Sequence, residues 1–165
     1  MVNSLCDELR LLYQPTSAEI EVLYSSYIVN CTPNVLLSLT AVTLNGVTIQ
    51  ALRRTSSVPK TLKTLFLSLA VSDLGVGFLC QPVYVVLLTK WFQGNTESTC
   101  TLYTVFVTAM GLFSVPTFFG VMALSVDRFL AIHLHLRYQE LVTHKRVVAV
   151  VIVIWVLSVD RKSVV

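Results

Sequence analysis

The chain has 165 residues, 55% of them hydrophobic and 13% charged, with a mean hydropathy of +0.74 and a net charge of +3. A soluble domain carries roughly a quarter of its residues charged, so an ordinary soluble globular domain is excluded. So small an excess of base gives no footing for nucleic-acid binding, and the composition points to an all-α integral membrane protein.

Residues 1–26 read as a short extracellular tail, in which Asp7, Glu8, Glu19 and Glu21 stand against one base, Arg10. No basic region followed by an apolar core and a cleavage site occurs there, so the first span would serve as its own targeting signal. Asn30-Cys31-Thr32 fits a glycosylation acceptor, with Pro33 directly after it.

The first span is expected from Pro33 to Leu52 and is the least apolar. Asn45, Gly46, Thr48 and Gln50 lie inside it, and lipid disfavours such side chains, so they should face protein. The loop RRTSSVPKTLK then brings Arg53, Arg54, Lys60 and Lys63 with no acid. Short loops rich in Lys and Arg stay cytoplasmic, which leaves the N-terminus outside.

The second span is expected from Thr64 to Thr89, with Asp73 its only charge and Pro82 in its outer half. Proline removes a backbone donor and kinks a helix, which packed neighbours tolerate in a membrane. Ala70, Asp73 and Gly77 share a face of small residues where another helix can approach. Trp91 and Phe92 follow as interfacial anchors. The third span should begin near Cys100 or Thr101 and reach about Ile132, longer than an upright helix needs, so it should tilt and protrude.

After an inner loop from His133 to Arg146, the fourth apolar run covers only Val147 to Val159. That is too short to cross the hydrocarbon core, and it would leave Asp160-Arg161-Lys162 at mid-membrane. The expectation is three full spans and a partial fourth within a domain of residues 27–159, closed by a truncated or aberrant end at 160–165.

Asp73 and the Asp127-Arg128 pair call for an explanation. A carboxylate at membrane depth is costly unless paired, hydrated or protonated. Asp73 is therefore either a protonated group gluing helices together or a cation- or proton-linked site, with Asn45 and Thr117 as candidate donors. Asp127-Arg128 ends a long uncharged run. It is either a helix reaching water or, since Phe129 to Ile132 is apolar again, a guanidinium suited to a two-state contact. Cys6, Cys31, Cys80 and Cys100 lack metal-ligand spacing, and no nucleophile–base arrangement or phosphate loop occurs. No enzyme, metal or resident cofactor is expected.

These pieces together resemble the rhodopsin-like (class A) G-protein-coupled receptors. The resemblance is carried by Asn45, by LSLAVSDLGVG with Asp73, and by Trp91, Cys100, Asp127-Arg128-Phe129 and Trp155. Asn45 and Asp73 stand 28 positions apart, Arg128 and Trp155 27, both fitting that family. LSLAVSDLGVG followed by SVDRFLAIHLHLRY most resembles orphan receptors of invertebrate animals.

The resemblance implies the first four helices of a seven-helix receptor that signals from an extracellular ligand to a heterotrimeric G protein. It makes Asp73 the acid of a sodium pocket, with Asn45 and Thr117 beside it. Arg128 would hold the inactive state through Asp127, and Tyr138 would contact the G protein. Cys100 would form a disulfide to the second outer loop; where that loop is absent it would be free or pair opportunistically with Cys6 or Cys31. Trp155 would pack the fourth helix on the second and third. Residues 101–111 contain no acid, so an amine ligand, which needs a carboxylate counter-ion there, is not expected. The departures are Phe129 for a tyrosine, His135 for a proline, and three extra residues between Cys100 and Arg128. That insertion would shift Cys100 by about 4.5 Å, with Pro116 as its expected place.

An intact receptor would sit in the plasma membrane. Two rivals stay open: a transporter or channel fragment using Asp73 as an ion site, and a non-signalling product held in the endoplasmic reticulum.

Overall fold

A computed structural model describes residues 20–93, 96–134 and 138–160, with side chains left out at 20–23, 91–92, 96–99, 139 and 141. The described residues form helices alone. These are α1 (Ile20–Arg54), α2 (Lys60–Gly75), α3 (Gln81–Phe92), α4 (Thr96–Leu134), the single turn α5 (Tyr138–Leu141) and α6 (His144–Asp160). One turn of π-helix, Val76–Cys80, joins α2 to α3 into a single rod.

Three segments are long and apolar enough to cross a membrane: Tyr24–Arg54, Lys60–Lys90 and Cys100–Leu134. At 1.5 Å per residue each exceeds the ~30 Å hydrocarbon core. The chain is a multi-pass membrane protein. Its exposed apolar side chains fit that setting: Leu36, Leu39 and Leu44 on α1, Phe118 and Met122 on α4, and Ile152 and Val156 on α6. The buried positions are instead small or polar, among them Ala70, Ser72, Cys80 and Ser158. In lipid, which is as apolar as leucine, helices associate through close packing of small residues and through hydrogen bonds.

Two boundaries differ from the sequence expectation. α1 begins at Ile20, inside the segment expected to be a tail and well before Pro33, which the helix absorbs. α6 includes His144, Lys145 and Arg146 and so is longer than the apolar run. The polar residues of α1 also behave differently. Asn34, Thr40, Thr43, Asn45 and Thr48 each bond the carbonyl four residues earlier in their own helix. Such back-bonding satisfies the side chain internally; of the four residues expected to face protein, Asn45, Gly46 and Thr48 are half-buried and Gln50 is exposed.

α4 runs unbroken through Pro116, the place expected for the three extra residues. The second span is irregular next to Pro82, where a kink was expected and where the proline lacks an N–H. Gln81 N–H turns to Val76 O, so the carbonyl of Gly77 has neither the i+4 donor, already used, nor the i+5 donor, which is proline. Ser38 on α1 supplies the missing bond, its hydroxyl donating to Gly77 O at 2.6 Å. The approach requires glycine: a Cβ on Gly77 would stand 3.0 Å from Ala41 Cβ and 3.3 Å from Ser38 O.

α4 is the centre of the bundle, packing against α2, α3, the π-turn and α6, while α1 covers α2 and α3 from the other side.

Candidate functional site

Two clusters bring together five of the residues singled out from sequence. The first lies mid-span on the α2–α4 interface. Thr117 Oγ1 is 3.0 Å from Asp73 Oδ1, 2.9 Å from Ser72 Oγ and 3.1 Å from the carbonyl of Phe113. One hydroxyl proton serves one of these acceptors at a time, so the group can change partner without moving its helix. Ser72 is fully buried and donates to Leu69 O. The Thr117 hydroxyl is thus the point at which the Asp73 carboxylate and the Ser72 hydroxyl meet. Asn45, expected beside Asp73, donates its amide to Ala41 O at 2.9 Å, within α1.

Ser72 was not picked out from sequence, although Ser68 and Ser72 stand one turn apart in an apolar stretch. Both are used: Trp155 Nε1 on α6 donates to Ser68 Oγ at 3.1 Å. Trp155 also meets Phe113 of α4 edge-on, with ring centroids 6.4 Å apart. The indole therefore ties α6 to both neighbours, and Phe113 closes the gap over Gly75, whose imagined Cβ would lie 2.2 Å from the ring.

The second cluster is at the far end of α4. Asp127 is 4% exposed and Arg128 48%. Arg128 grips one carboxylate oxygen, Nε at 3.1 Å and Nη2 at 2.5 Å from Oδ2. The other oxygen, Oδ1, accepts the Tyr138 hydroxyl at 2.6 Å from α5. A buried carboxylate has both oxygens engaged, so the ionised form is compensated. Thr61 of α2 lies near the same phenol, so the phenol sits where three elements meet. Burial, and then donation to Asp127, push the Tyr138 hydroxyl above its ordinary value of 10.0. Phe129 points away from this group and is exposed, stacked on His133 at a centroid distance of 4.6 Å. His135 lies outside the described residues.

Of the remaining sequence candidates, Cys100 is disulfide-bonded. Cys31 and Cys80 are free thiols, which removes Cys31 as the partner, and Cys6 lies outside the described residues. Trp91 falls in α3, but its side chain is outside the described set. Asn30 sits within α1 instead of an exposed loop, its amide donating to Ser26 O at 2.7 Å. Among the described residues no group of three His, Cys, Asp or Glu could hold a metal ion.

Comparison with known proteins adds a family signature and named relatives. The pattern of the family described as 7 transmembrane receptor (rhodopsin family) matches residues 44–160, well over half of the chain. The chain is 35% identical over 103 residues to adenosine receptor A2b of Gallus gallus, covering 62% of this chain and 29% of that receptor. Against adenosine receptor A2b of Bos taurus it is 36% identical over 124 residues, 74% of this chain and 36% of the relative. Tyramine receptor Ser-2 of Caenorhabditis elegans is 34% identical over 127 residues, 74% of this chain and 27% of the relative. The chain spans about a third or less of the length of these three relatives.

Proposed function

The chain belongs to the rhodopsin family of seven-transmembrane receptors, and from that premise we propose that it supplies the first helices of a receptor signalling to a heterotrimeric G protein. The carrying observation is the Asp127–Arg128–Tyr138 cluster. A half-exposed guanidinium is tethered to a buried acid at a helix end, where a second binding partner can compete for it. Coupling then means that ligand and G protein each bind one arrangement of this contact better than the other. The end carrying Arg53, Arg54, Lys60 and Lys63 faces the cytoplasm, in keeping with the positive-inside rule, and the receptor acts at the plasma membrane. The test is nucleotide exchange by the G protein with Arg128→Ala in a receptor containing these helices. Exchange should be lost while surface labelling persists. Normal exchange would overturn the role given to Arg128, and retention in the endoplasmic reticulum would overturn the localisation.

For the ligand, an uncharged small molecule of nucleoside type fits better than an amine. Residues 101–111 offer no carboxylate, and several relatives are named adenosine receptors. The tyramine receptor among the relatives defines the contrary outcome: activation by tyramine and not by adenosine would reverse this assignment.

Asp73, Thr117 and Ser72 suit a sodium ion, since all three offer hard oxygens and the Thr117 hydroxyl lies within hydrogen-bond reach of the other two. When bound, the ion would supply the charge compensation that a mid-membrane carboxylate lacks. Thr117→Val should weaken any sodium dependence of ligand affinity, and an unchanged dependence would count against the site.

A further inference from the structure

The loop RRTSSVPKTLK sets two adjacent arginines directly before three hydroxyl residues, and the receptor reading uses none of the three. Arg53 and Arg54 close α1 and are exposed, as are Thr55, Ser56 and Ser57. Residues 55–59 have no helical backbone. Within the helices, Thr48, Thr64 and Ser125 each bond the carbonyl four residues earlier. The hydroxyls of Ser56 and Ser57, by contrast, have no hydrogen-bond partner among the described residues.

The arginines stand three and two residues before Ser56. An enzyme that reads a peptide through guanidinium groups holds each planar fork between its own carboxylates, and it needs the acceptor hydroxyl at a fixed distance along extended backbone. Thr55 is one residue too near the pair for that spacing, and Ser57 one too far. The extended form requires unwinding only the final residues of α1, and helix ends fray first. The fold also has a place for the product. Lys63 Nζ donates to Thr55 O at 3.3 Å, one residue from Ser56. No carboxylate among the described residues pairs with Lys60 or Lys63, and a phosphate, with about two negative charges and three acceptor oxygens, supplies the anion they lack.

With the orientation taken from the receptor reading above, which puts this loop in the compartment that holds ATP, we propose that Ser56 is a phosphorylation site for an arginine-directed serine/threonine protein kinase. In the transfer, Ser56 Oγ attacks the γ-phosphorus of ATP and the bond from that phosphorus to the β,γ-bridging oxygen breaks. ADP leaves, and the hydroxyl proton passes to a carboxylate of the kinase. The modification removes about half of the loop's positive charge and draws Lys60 and Lys63 towards the new phosphate.

The test exposes the full chain in phosphatidylcholine nanodiscs, whose two faces are both open, to the catalytic subunit of cyclic-AMP-dependent protein kinase with magnesium ATP. Tandem mass spectrometry locates the phosphate. It should appear on Ser56, Ser56→Ala should remove it, and Ser56→Thr should keep an acceptor there. The combined Arg53→Gln and Arg54→Gln variant should slow incorporation about tenfold or more. Lys60→Gln removes base from the other side of Ser56 and should leave the rate unchanged, which separates positional reading from loss of charge. A kinase directed to acidic sequences should leave Ser56 unmodified. Absence of phosphate from Ser56, phosphate on Ser57 alone, an undiminished rate in the combined arginine variant, equal slowing by Lys60→Gln, or equal modification by the acid-directed kinase would each overturn the proposal. Phosphate is read without signalling and from either face, so its failure leaves the receptor reading standing, and a receptor that is modified but drives no nucleotide exchange leaves this site standing.

Discussion

Tyr138 donates its hydroxyl proton to Asp127 at 2.6 Å, and through that bond a single turn of helix outside the membrane is fastened to the end of α4. The isolated turn α5 has no length to stabilise itself, since short helices are marginal in water. Its order therefore depends on this tether and on the Thr61 contact.

Tyr138→Phe should release the turn. A hydrogen bond to a charged acceptor contributes about 1.5–3 kcal/mol, so amide exchange at Val142, whose N–H bonds Tyr138 O, should quicken by about tenfold or more. Unchanged exchange would show that the turn is held by other means. The pH dependence has a definite sign. The folded-state phenol is raised above 10.0, so the folded protein keeps a proton that the unfolded chain releases. Stability from this group is full below about pH 10 and is lost as pH rises through the folded value. The tyrosinate absorption of the wild type, compared with Tyr138→Phe, should contain one component titrating above ordinary tyrosine.

Ser38→Ala tests the repair of the π-turn. Pro82 and the Gln81–Val76 bond leave Gly77 O without a backbone donor, and lipid offers no water to replace Ser38. Leaving a buried carbonyl unsatisfied costs about 1–3 kcal/mol, which thermal unfolding in micelles should register. Ser38→Thr keeps the hydroxyl and should recover most of the loss. An unaltered Ser38→Ala midpoint would mean that Gly77 O finds another donor.

Gly75→Ala should destabilise for a different reason. The added methyl would meet the Phe113 ring at 2.2–2.6 Å, and that ring is backed by Trp155 and cannot retreat freely. Overpacking of this kind costs about 1–3 kcal/mol. Combining it with Phe113→Leu should give a smaller loss than the sum of the two single changes, because contacting residues couple. Simple additivity would contradict the steric account.

How much of this was legible in the chain varies with the kind of interaction. The spans follow from hydropathy, which depends on composition over many residues and tolerates local error. Asp73 and Asp127 stood out because each is costly where it lies, and Trp155 through its spacing from Arg128 in the family resemblance. Their partners did not: Ser72, Ser68 and Thr61 are small hydroxyl residues of ordinary type, and their importance comes from which helix they face. Crossing geometry is set by packing between helices and has no local code. The two prolines inside the second and third spans show the same limit. Pro116 and Pro82 look alike in sequence, yet α4 passes through the former unbroken while the second span answers the latter with a π-turn and a donor from α1. The early start of α1 was hidden by Pro33, which reads as a boundary in water but can be absorbed in a helix.

Asn30 should carry no glycan. The acceptor pattern Asn-X-Thr belongs to surface loops, whereas Asn30, Cys31 and Thr32 lie within α1. The Asn30 amide nitrogen, the atom that would be modified, is occupied in donating to Ser26 O at 2.7 Å. Presenting it to an enzyme would require breaking that bond and unwinding the helix for a turn on either side, next to a proline that fixes the following backbone. Treatment of the expressed protein with an amidase that removes N-linked glycans should leave its electrophoretic mobility unchanged, and Asn30→Gln should match the wild type. A mobility shift on treatment that Asn30→Gln abolishes would show that α1 is not helical at Asn30 when the chain is made.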